Sequence, residues 1–142
     1  HLSLVGDGVL RPELENAGKD LMANGRLKFL GRQVSSRSLY TPYQVTLLTS
    51  LYEGCPMTAL ESLACGVPCL ALPIPAMREL FTQDAPYLLA HDETPQALAI
   101  AVLNLMRMPK EQVQKDIARI TSKHSLPRFG HSWRIAIQSS IN

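Results

Sequence analysis

The stretch Thr49-Ser50-Leu51-Tyr52-Glu53-Gly54-Cys55-Pro56-Met57-Thr58-Ala59-Leu60-Glu61-Ser62-Leu63-Ala64-Cys65-Gly66-Val67-Pro68 decides how this chain folds. One apolar run, residues 45–48, leads into it and another, residues 69–72, leads out. Between them the apolar spacing changes from that of a buried strand to that of a helix. The stretch therefore predicts a strand–loop–helix–strand unit with one carboxylate, Glu53, in the loop and a second, Glu61, on the helix. In open parallel sheets, ligands bind outside the carboxyl ends of the strands, where such loops sit.

At ~100° per residue from Met57, the residues Ala59, Leu63, Leu60, Ala64 and Met57 fill one arc, predicted to be the buried face. Glu61 falls at ~40°, just past the edge of that arc, and Thr58 and Ser62 lie further round. Gly54-Cys55-Pro56 is predicted to open the helix, turning its first amides and the positive end of its dipole toward the loop, a ready anion site. A glycine there also lets a ligand approach the backbone. Each feature has an ordinary alternative: a solvated edge glutamate, and turn chemistry for Gly-x-Pro. Their coincidence after a buried strand favours a binding site.

Glu53-Gly54-x-Pro56 followed by Glu61, then Ala64-Cys65-Gly66-Val67-Pro68, resembles the Glu-x7-Glu signature of the family 4 (group 1) retaining glycosyltransferases. The resemblance extends upstream to Leu4-Val5-Gly6-Asp7-Gly8 and Lys28-Phe29-Leu30-Gly31 and covers roughly the first hundred residues in consistent order. It implies the GT-B architecture, two facing Rossmann-like domains of which the C-terminal one holds a nucleotide-sugar donor. It also implies that Glu53, the catalytic candidate, contacts donor-sugar hydroxyls near the reacting carbon, and that Glu61 accepts hydrogen bonds from the ribose. Gly54, Cys55, Pro56, Met57 and Thr58 would meet sugar and phosphate. Gly6, Gly31 and Val34, with Arg32, would be donor neighbours. The family's Arg-x5-Lys element, whose cations hold the pyrophosphate, would lie upstream of this chain, together with a first strand and the acceptor domain. On this reading the chain is a C-terminal fragment, inactive by itself.

The 142 residues suffice for one ordinary domain, burying roughly 68–70% of the unfolded surface. The chain is 46% hydrophobic and 18% charged, without an apolar run of membrane-spanning length. It opens on a strand-like run rather than a secretory leader. A net charge of +2 and few aromatics argue against nucleic acid. The odd set Cys55, Cys65 and Cys69 implies no disulfide framework, and Cys65 and Cys69 read as reduced core thiols. Cys55 reads as a variable position, with a reactive thiol as the alternative. His91, His124 and His131 lie far from the cysteines in sequence, so no zinc site is expected. The expectations are a cytoplasmic location and a metal-independent reaction with no cofactor beyond the donor substrate.

Taken in order, residues 2–5 and 27–30 read as strands, with a helix between them carrying Pro12 early, Leu14, Ala17, Gly18 and Leu21 inward, and Gly25 as its stop. A short helix is expected at 37–40, closed by Pro42. Residues 68–72 form the next strand. In Pro73-Ile74-Pro75-Ala76-Met77-Arg78-Glu79, Glu79 fits a family glutamate, but the prolines stand where the family has glycines. Residues 87–89 read as a last strand, and Thr94 as an N-cap before Pro95, with Leu98, Ala101, Val102 and Leu105 buried. A helix from Pro109 turns Val113, Ile117 and Ile120 inward and Lys115, Arg119 and Lys123 outward as a solvated basic stripe. Phe129, Trp133 and Ile137 space a terminal helix over 125–142.

Five strands alternating with helices predict an α/β fold, a Rossmann-like three-layer α/β/α domain with a mostly parallel sheet. The function that fits best is donor binding in a retaining transferase moving a hexosyl group from a nucleotide-sugar to a saccharide or lipid-linked acceptor. Membrane association, at the inner face, is open only to a full-length protein. The alternative is a non-catalytic nucleotide-sugar-binding or interaction module, which the altered 73–79 loop supports. A third candidate, a nucleotide-sugar epimerase, is not marked by a Glu-x7-Glu pair.

Overall fold

The computed structural model describes residues 1–34, 36–125 and 127. The terminal helix expected over 125–142 therefore lies, apart from Ser125 and Pro127, outside the described residues. The chain divides into two compact units, residues 1–39 and the remainder from Tyr40.

In the first unit, β1 (Leu2–Val5) runs parallel to β2 (Leu27–Gly31), with Leu2 opposite Leu27 and Leu4 opposite Phe29. The register slips between Leu4 and Val5, so that Val5 faces Gly31. The helix expected between the strands is two helices, α1 (Arg11–Ala17) and α2 (Lys19–Ala23), broken at Gly18. Packing accounts for a glycine at the break. Gly18 is buried against β2, and a Cβ there would lie 2.4 Å from Leu27 Cδ2. Gly25 ends α2 in the left-handed region at φ 66°. The inward face expected for Leu14 and Leu21 is not buried; both are exposed. Arg11 stacks over Phe29, 5.7 Å from the ring centroid, and pairs with Glu15 at 2.8 Å and Asp7 at 3.4 Å. A four-residue helix, α3 (Arg37–Tyr40), spans the boundary of the two units.

The second unit carries the core. β3 (Thr46–Leu48) pairs parallel with β4 (Cys69–Ala71) through Thr46–Cys69, Leu47–Leu70 and Leu48–Ala71. The connection is α4 (Met57–Ala64). It ends in a Schellman motif, with the Gly66 N–H on the Leu63 carbonyl at 2.9 Å and the Val67 N–H on the Ser62 carbonyl at 3.0 Å. Gly66 sits at φ 77°, the left-handed conformation that this cap requires. After β4 come α5 (Pro75–Phe81), a 3-10 turn at Pro86–Leu88, α6 (Pro95–Arg107) and α7 (Lys110–Lys123). Leu63, Leu70, Met77, Phe81, Leu88 and Ile120 are its largest sealed apolar side chains. Thr94 caps α6, its hydroxyl accepting from the Ala97 N–H at 3.2 Å.

Three expectations are corrected. Residues 87–89 do not form a strand. Pro86 opens a 3-10 turn instead, and only Leu89 forms a parallel bridge, to Ala71. The described strands pair as two separate two-stranded sheets, one in each unit, rather than as five in one ladder. Arg119 and Lys123 are not simply solvated. Arg119 pairs with Asp116 and, at 3.7 Å, with Asp84, to which Lys123 also binds. Asp116 is buried and accepts from Tyr87 at 3.0 Å and Gln112 at 2.9 Å. Burial works against its charge, but these bonds and Arg119 outweigh that and hold its pKa below the ordinary aspartate value.

The architecture is α/β with parallel strands connected through helices, a Rossmann-like arrangement. Among the described residues, no helix is long and apolar enough to cross a membrane.

Candidate functional site

The loop after β3 and the helix that follows it carry both carboxylates. Glu53 is half-buried in the loop, between exposed Tyr52 and exposed Gly54. Gly54 has open space where a Cβ would stand, so internal packing does not require a glycine there. Cys55 is exposed, its thiol 3.8 Å from the Met57 sulfur. Pro56 precedes α4 at φ −78° and ψ 67°, the inverse γ-turn conformation. That turn is closed by the Met57 N–H on the Cys55 carbonyl at 2.8 Å. The helix thus begins at Met57 rather than at Gly54, and the Met57 amide, expected to face the loop free, is spent on the turn. Thr58 is exposed on the first turn.

Glu61 stands on α4, half-buried, and its Oε2 accepts a 2.7 Å hydrogen bond from the Tyr40 hydroxyl. Tyr40 is itself buried at the end of α3. The next residue sets the rotation of the helix. Ser62 is fully buried; its hydroxyl donates to the Val67 carbonyl at 2.9 Å and lies 2.8 Å from the Thr46 hydroxyl on β3. The buried face of α4 is therefore Ala59, Ser62 and Leu63, with Met57 and Ala64 exposed. The predicted arc was rotated because it followed side-chain polarity, and a serine whose hydroxyl finds partners can be buried at little cost. Glu61 consequently lies on the side of α4 turned away from the sealed face, about 150° round from its centre at ~100° per residue.

The remaining candidates belong to the first unit. Gly6 and Gly31 meet at the ends of β1 and β2, where the Gly6 N–H donates to the Gly31 carbonyl at 2.8 Å. Both have positive φ, 118° and 65°, so the bends of the backbone account for glycine at each position. Arg32 and Val34 are exposed in the following loop. The structure thus brings Glu53 through Thr58 and Glu61 together on one loop and helix, and Gly6 with Gly31 on one pair of strand ends. Sequence reasoning missed Tyr40. Its position closing a helix that leads into β3 was visible, but not its partner.

In the altered loop, Pro75 opens α5, and the Arg78 guanidinium folds back to donate to the Pro73 carbonyl at 2.6 Å. Glu79 is exposed. Two clefts lie elsewhere in the second unit. One, of about 640 Å³, is lined by residues including Arg78, Tyr87, Ile100 and Asn104. The other, of about 400 Å³, includes Tyr43, Cys65, Met106 and Lys110. Neither is lined by Glu53 or Glu61. Among the described residues, no three His, Cys, Asp or Glu side chains are placed to hold a metal ion.

The chain is similar to known proteins in sequence and in fold. The family model described as "Glycosyl transferases group 1" matches residues 1–108. A GDP-mannose-dependent alpha-(1-6)-phosphatidylinositol dimannoside mannosyltransferase of Mycobacterium tuberculosis is 30% identical over 109 residues, 77% of this chain and 28% of that protein. N-acetyl-alpha-D-glucosaminyl L-malate synthase of Bacillus anthracis is 34% identical over 79 residues, 56% of this chain and 21% of that protein. Among solved structures, HepE of Anabaena in complex with UDP-glucose superposes with a TM-score of 0.75 at 22% identity, over 99% of this chain and 40% of that one. Such neighbours are GT-B transferases, and the likeness is one of fold. The chain spans about a quarter of the length of these curated relatives. With the family model covering three quarters of its length, the chain belongs to the group 1 glycosyl transferases.

Proposed function

We propose that residues 1–142 form the donor-binding domain of a retaining, metal-independent glycosyltransferase that moves a hexosyl group from a nucleotide-sugar to an acceptor read by another domain. The observation that carries this reading is the pair Glu53 and Glu61 on one loop and helix after β3, the second carboxylate already oriented by Tyr40. Two carboxylates, one in the loop after a strand and one on the helix that follows, can accept from two sets of hydroxyls on one ligand. Glu53, in the loop, serves the sugar near the reacting carbon, and Glu61 serves the ribose. The Gly54–Thr58 backbone lies along the phosphates, and Gly6, Gly31 and Val34 neighbour the donor. Names of relatives support a nucleotide-sugar: one is GDP-mannose-dependent, and HepE was solved with UDP-glucose. A saccharide or lipid-linked acceptor, and a cytoplasmic protein resting at the inner face of a membrane, complete the reading.

A second reading has its own observation. Pro75 opens α5 where the family has a glycine-rich turn, which removes a backbone donor from that loop. A module that binds nucleotide-sugar without transferring it would tolerate that change.

The test uses the full-length protein with UDP-, GDP- and ADP-sugars. Saturable binding of one is expected. Glu61→Ala should weaken binding of the matching free nucleotide ten- to a hundredfold, because hydrogen bonds to a charged acceptor are worth ~1.5–3 kcal/mol each. Glu53→Gln should lower turnover more than nucleotide affinity. Binding without acceptor-dependent nucleotide release would select the second reading, and inversion at the anomeric carbon of the product would exclude the retaining assignment.

A further inference from the structure

We infer that Tyr40 is a positioning residue for nucleotide recognition, fixing the Glu61 carboxylate in the orientation that meets the ribose hydroxyls; this rests on the reading of Glu61 just proposed. The geometry is specific. The Tyr40 hydroxyl donates to Glu61 Oε2 at 2.7 Å, within the range of a charge-assisted bond. The phenol is buried, so its hydroxyl is held by its own ring rather than swinging in solvent. It reaches Glu61 from another helix, 21 residues earlier in the chain.

A half-exposed glutamate on a helix samples several rotamers, and binding must then freeze it at a cost in side-chain entropy. Tyr40 meets that cost before the ligand arrives. A phenol that donates to one oxygen of a carboxylate constrains the plane of the whole group, and with it the directions from which the group accepts. The Cα of Glu61 is fixed separately. Ser62, the next residue, ties α4 to Val67 and lies within bonding distance of Thr46 on β3. Tyr40 thus acts on the side chain of Glu61 and Ser62 on the helix that carries it. A ribose offers two neighbouring hydroxyls, and a carboxylate of fixed plane can accept from both, which a freely turning one does only part of the time.

The experiment is a double-mutant cycle in the full-length protein, read by calorimetric binding of UDP, GDP and ADP and of the 2′,3′-dideoxy form of whichever binds. Tyr40→Phe keeps the buried ring and removes only the hydroxyl. It should weaken binding of the ordinary nucleotide about three- to tenfold. It should leave the dideoxy nucleotide unchanged, and it should have no further effect in the Glu61→Ala background. A merely structural tyrosine would lower Tm and leave affinity alone, or would weaken both nucleotides equally; either result overturns the inference. If Glu61→Ala weakens binding but Tyr40→Phe does not, the inference fails while the reading of Glu61 stands. If Glu61→Ala has no effect, or no nucleotide binds, both fall.

Discussion

Leu14 and Leu63 are the same residue in equivalent settings, each on an amphipathic helix that follows a parallel strand. Leu14 is 51% exposed and Leu63 1%. The first unit buries only Gly18 and Leu27 among its described residues, whereas the second seals a continuous core from Ala59 to Ile120. Periodicity says which face of a helix would be buried; burial itself needs an opposing surface. In the second unit α4 has one. It packs on β3, β4 and α7, and Gln114 of α7 donates to the Gly66 carbonyl at 2.9 Å. Stability should therefore be concentrated in the second unit, and local opening in the first.

The largest expected effect is in the sealed core. Phe81→Ala should cost ~3–5 kcal/mol, because a fully buried ring leaves a cavity that close-packed neighbours fill only in part. Urea denaturation gives the number, and a loss under 1 kcal/mol would mean the core is far looser than its burial indicates. Next comes the polar clasp. Asp116→Asn should cost ~1–3 kcal/mol by weakening the bonds with Tyr87, Gln112 and Arg119. It also carries a pH signature. The folded pKa of Asp116 lies below its ordinary value of 3.8, so its contribution is present above that pH and disappears as pH falls through the lower folded value. The variant should show a shallower acid limb, measured as Tm between pH 5 and 2.

Thr94→Ala should cost ~1 kcal/mol by removing the cap from the first turn of α6. Hydrogen exchange should report it as faster exchange at the start of α6. The smallest effect closes the comparison. Leu14→Ala should change stability by ~0.5 kcal/mol or less, since an exposed side chain has little burial to lose. A large loss there would show that α1 is covered in solution.

What the sequence made legible was local. Residues 2–5, the short helix at Arg37–Tyr40, the Thr94 cap and the inward Val113, Ile117 and Ile120 follow from patterns a few residues long. What it hid was tertiary. Ser62 looked like a solvent residue because its Thr46 partner lies 16 residues away. Lys123 looked solvated because Asp84 lies 39 residues away. The strand expected at residues 87–89 failed because apolar spacing cannot separate a strand from a buried 3-10 turn, which here opens at Pro86. The same limit applies to the candidate site. The spacing of Glu53 and Glu61 is written in one dimension, but the phenol that holds Glu61 is not.

The three cysteines form a graded chemical clock. Cys55 is exposed beside the Glu53 loop, Cys65 is half-buried, and Cys69 is sealed in β4, where burial pushes its thiol up to about 12. A thiol reagent at neutral pH should reach them in that order, since the thiolate is the reacting form and access limits the rest. A fluorophore on Cys55 would sit next to the loop and sense its occupancy, while modification of Cys69 would count excursions that open the centre of the second unit. One chain, without engineered sites, can thus report ligand arrival and global opening on separate timescales.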